Sequence, residues 1–142
     1  MLSYSGSAVT QASPQEVWAA WVDVARWSDG DVIESARLEG NFEEGSTIIS
    51  KAKGFPSSKL TITRVDPHRI WVDESRSPGV RMSFEHVIEP RDAGATITER
   101  VLIAGPLGGI VGRVLRRRLE TLFAATTEQV ARQAEEANRS SG

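Results

Sequence analysis

Two ionisable residues on neighbouring strand-like runs are the first candidates for chemistry. In Val80–Glu89 the even positions Val80, Met82, Phe84, His86 and Ile88 are mostly apolar, while Arg81, Ser83, Glu85 and Glu89 are polar. Side chains alternate faces along a strand, so the even set points inward. In Ala95–Ile103 the parity reverses, with Ile97, Val101 and Ile103 inward and Thr96, Thr98 and Arg100 outward. Setting Ile88 opposite Ile97 puts Phe84 against Val101, Met82 against Ile103, and Glu85 against Arg100, an opposite-charge pair that pins the register. The same register sets His86 beside Glu99 on an otherwise apolar face. A carboxylate next to an imidazole in apolar surroundings can hold the ring charged, or serve acid/base chemistry such as enolising or dehydrating a carbonyl compound. It is equally a satisfied buried polar pair or an anchor for a ligand hydroxyl. Ligand contact is the favoured role.

Other candidates are weaker. Arg118 falls at the edge of the apolar stripe of a C-terminal helix, where it could bind a carboxylate or Glu99, or simply reach solvent over its own stem. Arg113, Arg116 and Arg117 fall away from that stripe and form a basic face, most simply a solvated one, otherwise a docking surface for a protein partner. Phe55, beside Pro56, reads as a lid residue or a loop anchor. The two histidines, His68 and His86, stand apart in sequence with no cysteine anywhere, which argues against a zinc site. Gly105 to Arg113 has the glycines of a phosphate loop but neither its spacing nor its Lys-Ser/Thr end, and no dinucleotide fingerprint occurs.

The elements that must position these residues are legible in order. Leu2–Gln11 alternates weakly as a first strand. Ser13-Pro14-Gln15-Glu16 has the form of a capping box, with Pro14 at the first helical position, and Val17, Trp18, Trp21 and Val22 follow at helical spacing. A short second helix or turn over Asp23–Trp27 ends at Ser28-Asp29-Gly30. From Asp31 to Ile103 the period is two, over the runs Asp31–Glu39, Ser46–Lys53, Lys59–Val65, Arg69–Ser75, Val80–Glu89 and Ala95–Ile103. Their connections are too short for parallel crossovers, so a meander follows. On Arg69–Ser75, Ile70 and Val72 compete with Trp71 for the inner face; if the first two win, Glu74 points inward as well.

The organising element is the last, Gly105 to about Glu136. Pro106 suits a first helical turn, and Leu107, Ile110, Val111, Val114, Leu115, Leu119, Leu122, Phe123, Thr126 and Val130 recur at three-and-four spacing. Gly108 and Gly112 lie near its apolar stripe, where a glycine costs roughly 1 kcal/mol of helix stability relative to alanine. They signal either close backbone packing or a gap.

At 142 residues the chain fits one domain, expected over residues 1–137 with a disordered tail at 138–142. A formal charge of −2 provides no broad attraction for nucleic acid. The absence of cysteine excludes thiol chemistry and agrees with a reducing cytoplasm. No apolar run reaches membrane-spanning length, so no membrane insertion is expected.

This order and these residues resemble the START-like superfamily of polyketide cyclases/dehydrases and lipid-transport proteins. The resemblance rests on Ala12 to Trp18, Asp23 and Trp27, Leu38-Glu39-Gly40, Gly45-Ser46, Asp66-Pro67, Ile88-Glu89-Pro90, Gly94-Ala95-Thr96 and Gly105-Pro106-Leu107. It implies an α+β helix-grip fold: a curved seven-stranded antiparallel sheet wrapped around the long C-terminal helix, with two short helices between strands 1 and 2 and an apolar cavity inside. On that fold the expected function is carriage or sensing of a small hydrophobic, lipid-like or aromatic molecule. Met82, Phe84, His86, Glu99, Val101, Gly108, Val111 and Leu115 would line the cavity, with no cofactor and no metal. The alternatives are a cyclase- or dehydratase-like enzyme using His86 and Glu99, and a protein-docking module using the arginine face.

Overall fold

The computed structural model describes residues 2–141, of which 138, 140 and 141 by backbone alone. Ser13 caps the first helix as its sequence requires. Its hydroxyl accepts from the Glu16 amide at 3.2 Å and the Glu16 carboxylate accepts from the Ser13 amide at 2.8 Å, so two otherwise orphaned donors are satisfied reciprocally. This helix, α1 (Pro14–Val22), follows strand β1 (Leu2–Thr10) and leads into a 3₁₀ turn at Val24–Asp29.

The six strands after it are β2 (Ile33–Glu39), β3 (Thr47–Ala52), β4 (Ser58–Asp66), β5 (Ile70–Ser77), β6 (Val80–Pro90) and β7 (Ala95–Ala104). They form one antiparallel sheet with β1, in the order β1-β7-β6-β5-β4-β3-β2. The β6–β7 register is the one that side-chain parity dictates. Ile88 faces Ile97, His86 faces Glu99, Phe84 faces Val101 and Met82 faces Ile103. On the outer face Arg100 Nε sits 2.9 Å from Glu85 Oε1.

The long helix α2 (Gly108–Ser141) lies along β1 and β7, which makes the architecture a helix-grip fold. It begins two residues later than Pro106 suggested. Gly105 takes a left-handed φ of +101°, and the Leu107 amide is drawn to the Gly79 carbonyl of the β5–β6 turn at 2.9 Å, so chain direction is set by that turn before helix geometry can start. It also continues past Glu136, to Ser141; the expected tail falls on its last residues and on Gly142, which lies outside the described residues.

Two glycines of this helix, Gly108 and Gly112, stand where it touches the sheet, and Gly112 is the one that close packing requires. A Cβ on Gly112 would lie 2.6 Å from Leu2 Cδ1, and one on Gly108 would lie 3.4 Å from Ile103 Cγ2. On the strand side, a Cβ on Gly6 would meet the α2 backbone at Ala124 N, 2.8 Å away. The helix therefore sits down hard on β1 and β7. Space remains on the other side, over β2 to β6.

Candidate functional site

Between the sheet and α2 lies a cavity of about 680 Å3. Of the eight residues expected to line it, Met82, Phe84, His86, Glu99, Val111 and Leu115 do so. Val101 and Gly108 do not. Val101 is buried in a cluster with Ile103, Leu119 and Phe123, and Gly108 is packed on Ile103, because both stand where helix and sheet touch. Trp21, Trp27, Leu60, Leu119, Leu122 and Val130 complete much of the apolar wall, while Phe55, Pro56 and Leu107 line it from the surrounding loops.

At the buried end three ionisable side chains meet this apolar wall: Asp73, His86 and Glu99, with exposures of 2%, 5% and 8%. His86 comes from β6, where it faces Trp71 of β5 on one side and Glu99 of β7 on the other. Its ring stacks on the Trp71 indole at 3.5 Å between centroids, and its Nδ1 lies 3.1 Å from the Trp71 carbonyl oxygen. A carbonyl only accepts, so Nδ1 carries the proton and Nε2 presents its lone pair. That Nε2 is 3.6 Å from Glu99 Oε2, and the other Glu99 oxygen accepts a 2.6 Å hydrogen bond from the Thr126 hydroxyl of α2.

Burial governs the charge states. It holds the His86 imidazole down at about 3, against the opposing effect of backbone hydrogen bonds at Trp71 and Phe84. It pushes the Glu99 carboxyl up to about 7, although the Thr126 hydrogen bond pulls the other way. Asp73 is raised well above the usual carboxylate range, first by burial and then by the charge of Glu99. The 3.6 Å contact between His86 and Glu99 is therefore not an ion pair at neutral pH, because the imidazole is uncharged. A neutral ring with a free Nε2 beside a carboxyl that titrates near 7 can accept and deliver a proton, or orient a polar group of a bound molecule.

Asp73 was not among the residues the sequence singled out. Trp71, fully buried, takes the inner face of β5, Ile70 and Val72 are half-buried, and Asp73 follows Trp71 inward by the two-residue period. Glu74 instead pairs with Arg76 at 2.6 Å. Arg118 lines the cavity but is exposed and makes no ion pair or hydrogen bond to Glu99. In the basic face, Arg116 pairs with Glu120 at 3.4 Å and lies over the Tyr4 ring, and Arg113 donates to the Gly109 carbonyl at 3.3 Å. His68 sits away from the site in the β4–β5 turn, its ring edge-on to Trp18.

The family model for polyketide cyclase/dehydrase and lipid transport matches residues 1–135. The chain belongs to that family. No curated protein matches this member of the polyketide cyclase/dehydrase and lipid-transport family. Among solved structures it is similar to norcoclaurine synthase from Thalictrum flavum, with a TM-score of 0.76 at 12% identity over 96% of each chain. It is also similar to Ara h 8.0201, with a TM-score of 0.65 at 18% identity over 91% of this chain and 97% of that one. The di-domain aromatase/cyclase StfQ of the steffimycin biosynthetic pathway matches with a TM-score of 0.75 at 11% identity, over 96% of this chain and 51% of that one. At such identities the likeness shows the fold. Family and fold suggest hydrophobic-ligand binding or cyclase-type activity, and the fold alone does not choose between them. Among the described residues no helix is long and apolar enough to cross a membrane.

Proposed function

We propose that this protein binds a small hydrophobic molecule, lipid-like or aromatic, in the cavity between sheet and α2, and acts as its carrier or sensor. The observation that carries this reading is the cavity itself: about 680 Å3 walled largely by apolar side chains, with three ionisable groups, Asp73, His86 and Glu99, buried at one end. A pocket of that kind holds a ligand through apolar area removed from water, on the order of 25 cal/mol per Å2, and selects it through a few oriented polar contacts. One of its structural neighbours, norcoclaurine synthase, has been captured with dopamine and hydroxybenzaldehyde, which supports an aromatic occupant. The test is to purify the protein from its cells under native conditions, extract it and identify what co-purifies by mass spectrometry. A stoichiometric, chemically unchanged apolar molecule is the expected result. A protein that yields none, and that binds no naphthalene-type probe, is not such a carrier.

A second reading has its own observation. Glu99 is poised near 7 beside a neutral His86 whose Nε2 is free to accept a proton, an arrangement suited to a cyclase- or dehydratase-like step on a carbonyl compound. Under this reading His86→Ala and Glu99→Gln abolish turnover while ligand binding persists. Ligand binding without any turnover in the unsubstituted protein favours the carrier, and turnover that survives both substitutions removes the pair from the chemistry.

A further inference from the structure

Asp73 and Glu99 are two buried carboxyls that share one cavity, and among the described residues no charged basic side chain answers either of them. The adjacent base, His86, has its Nδ1 proton committed to the Trp71 carbonyl and offers Glu99 only a lone pair. Glu99 accepts one hydrogen bond, from Thr126, and Asp73 Oδ1 has no donor at all. Buried carboxyls are ordinarily paired or fully hydrogen-bonded, so once ionised these two are short of donors; the unpartnered Trp71 Nε1 belongs to a fully buried indole that does not line the cavity. The missing partner is one that brings positive charge and several N–H groups with it.

The walls agree with that chemistry. Trp21 and Trp27 both line the cavity; the Trp21 ring lies 5.2 Å from His86 and Trp27 stacks on Trp71 at 5.9 Å. Indole faces attract cations through the ring quadrupole. The cationic side chains that line the cavity, Lys59, Arg76 and Arg118, are exposed to solvent, and Arg76 is held by Glu74. They reach solvent, and none of the three is ion-paired with Asp73 or Glu99. A bare metal ion fits less well than an organic cation, because among the described residues no three His, Cys, Asp or Glu side chains group closely enough to hold one.

We propose that the ligand is an apolar amine, held with its ammonium group between Asp73 and Glu99, near the indoles of Trp21 and Trp27, and its hydrocarbon along the apolar wall. This rests on the reading of the cavity as a ligand site. Charge and protons balance simply. Where Glu99 is protonated, entry of an ammonium ion displaces the carboxyl proton to solvent, leaving carboxylate and ammonium in contact; where it is ionised, no proton moves. Burial sets the Glu99 titration near 7, so amine affinity rises from pH 6 to pH 8. Asp73 moves in the same sense, while His86 stays neutral throughout.

The test uses three probes of matched shape on the full chain: 1-naphthylmethylammonium, 1-naphthylmethanol and 1-naphthoate, titrated calorimetrically at pH 6 and pH 8. The amine is expected to bind at least tenfold tighter than the alcohol at pH 8, and the carboxylate more weakly than either. The amine's advantage shrinks severalfold at pH 6, with a buffer-dependent enthalpy that reports proton release. In Asp73→Asn/Glu99→Gln the amine-to-alcohol ratio falls to within about threefold of unity. Should the double variant not fold, Glu99→Gln alone is expected to weaken the pH dependence, leaving the part that Asp73 carries, and cut the ratio at least threefold. Alcohol or carboxylate binding as tightly as the amine overturns the amine assignment and leaves the cavity reading intact. Failure of all three probes to bind overturns both.

Discussion

Trp71 and His86 stand opposite each other across β5 and β6 with their rings parallel to within 1° and 3.5 Å apart between centroids. The contact does more than fill space. The Trp71 carbonyl takes the Nδ1 proton of the same histidine, so one residue fixes the plane of the imidazole, its tautomer and the direction of Nε2 towards Glu99. The ring is then expected to remain neutral and in the Nδ1–H form down to about pH 4. Long-range 15N–1H correlation spectra between pH 8 and pH 4 check this. A protonated His86 signal at pH 6 would contradict it.

Glu99 makes stability depend on pH in a defined sense. Its carboxyl titrates at about 7 in the folded chain, against 4.5 ordinarily, so the native state holds the proton more tightly than the unfolded chain does. That contribution is complete below pH 4.5 and is lost as pH rises through 7. His86, depressed to about 3, works oppositely: its contribution is present above 6.5 and is lost as pH falls towards 3. Glu99→Gln isolates the first effect. Relative to the unsubstituted protein, the variant should gain on the order of 2 kcal/mol of stability between pH 5 and pH 8, read from urea unfolding at the two pH values. An unchanged difference would show that Glu99 is solvated.

Glycines at the helix–sheet contact should respond according to what a methyl group would meet. At Gly6 it would strike the α2 backbone, 2.8 Å from Ala124 N, and backbone cannot step aside cheaply. Gly6→Ala should cost about 1–3 kcal/mol by overpacking. At Gly109 only the Arg113 guanidinium is near, at 3.3 Å, and it is free to move. Gly109→Ala should be neutral or stabilise by up to about 1 kcal/mol through helix propensity. Thermal melts of the two variants give the order directly.

How much of this site was legible in the sequence follows from how each strand is patterned. β6 and β7 alternate cleanly and carry Glu85 and Arg100 at matching positions, so their register and the meeting of His86 with Glu99 follow from parity alone. Strand β5 places apolar side chains at Ile70, Trp71 and Val72 in succession, and nothing local decides between the two faces. The decision comes from across the sheet, where Trp71 meets His86, and Asp73 goes inward only as a consequence. Gly108 and Gly112 were visible as signals, but close packing and a gap use the same residue. Only the partner surface, Ile103 and Leu2, distinguishes them. Thr126 was legible as part of the helical stripe, whereas its bond to Glu99 joins residues 27 apart and has no local signature.

Filling the cavity separates its role from that of the surrounding core. Met82 lines the cavity from β6 and is only half-buried, so its side chain borders empty volume rather than close-packed neighbours. Met82→Trp adds an indole into space of about 680 Å3 without displacing backbone. The fold should therefore tolerate it, with a melting temperature within a few degrees of the parent, while affinity for a naphthalene-type probe falls at least tenfold. Ile97 provides the contrast: it is fully buried on β7 and lines no part of the cavity, so Ile97→Trp must overpack the core and should lower the melting temperature sharply. If Met82→Trp instead destabilised the protein as much as Ile97→Trp does, the space beside Met82 would be closed in solution, and the ligand would have to be sought elsewhere.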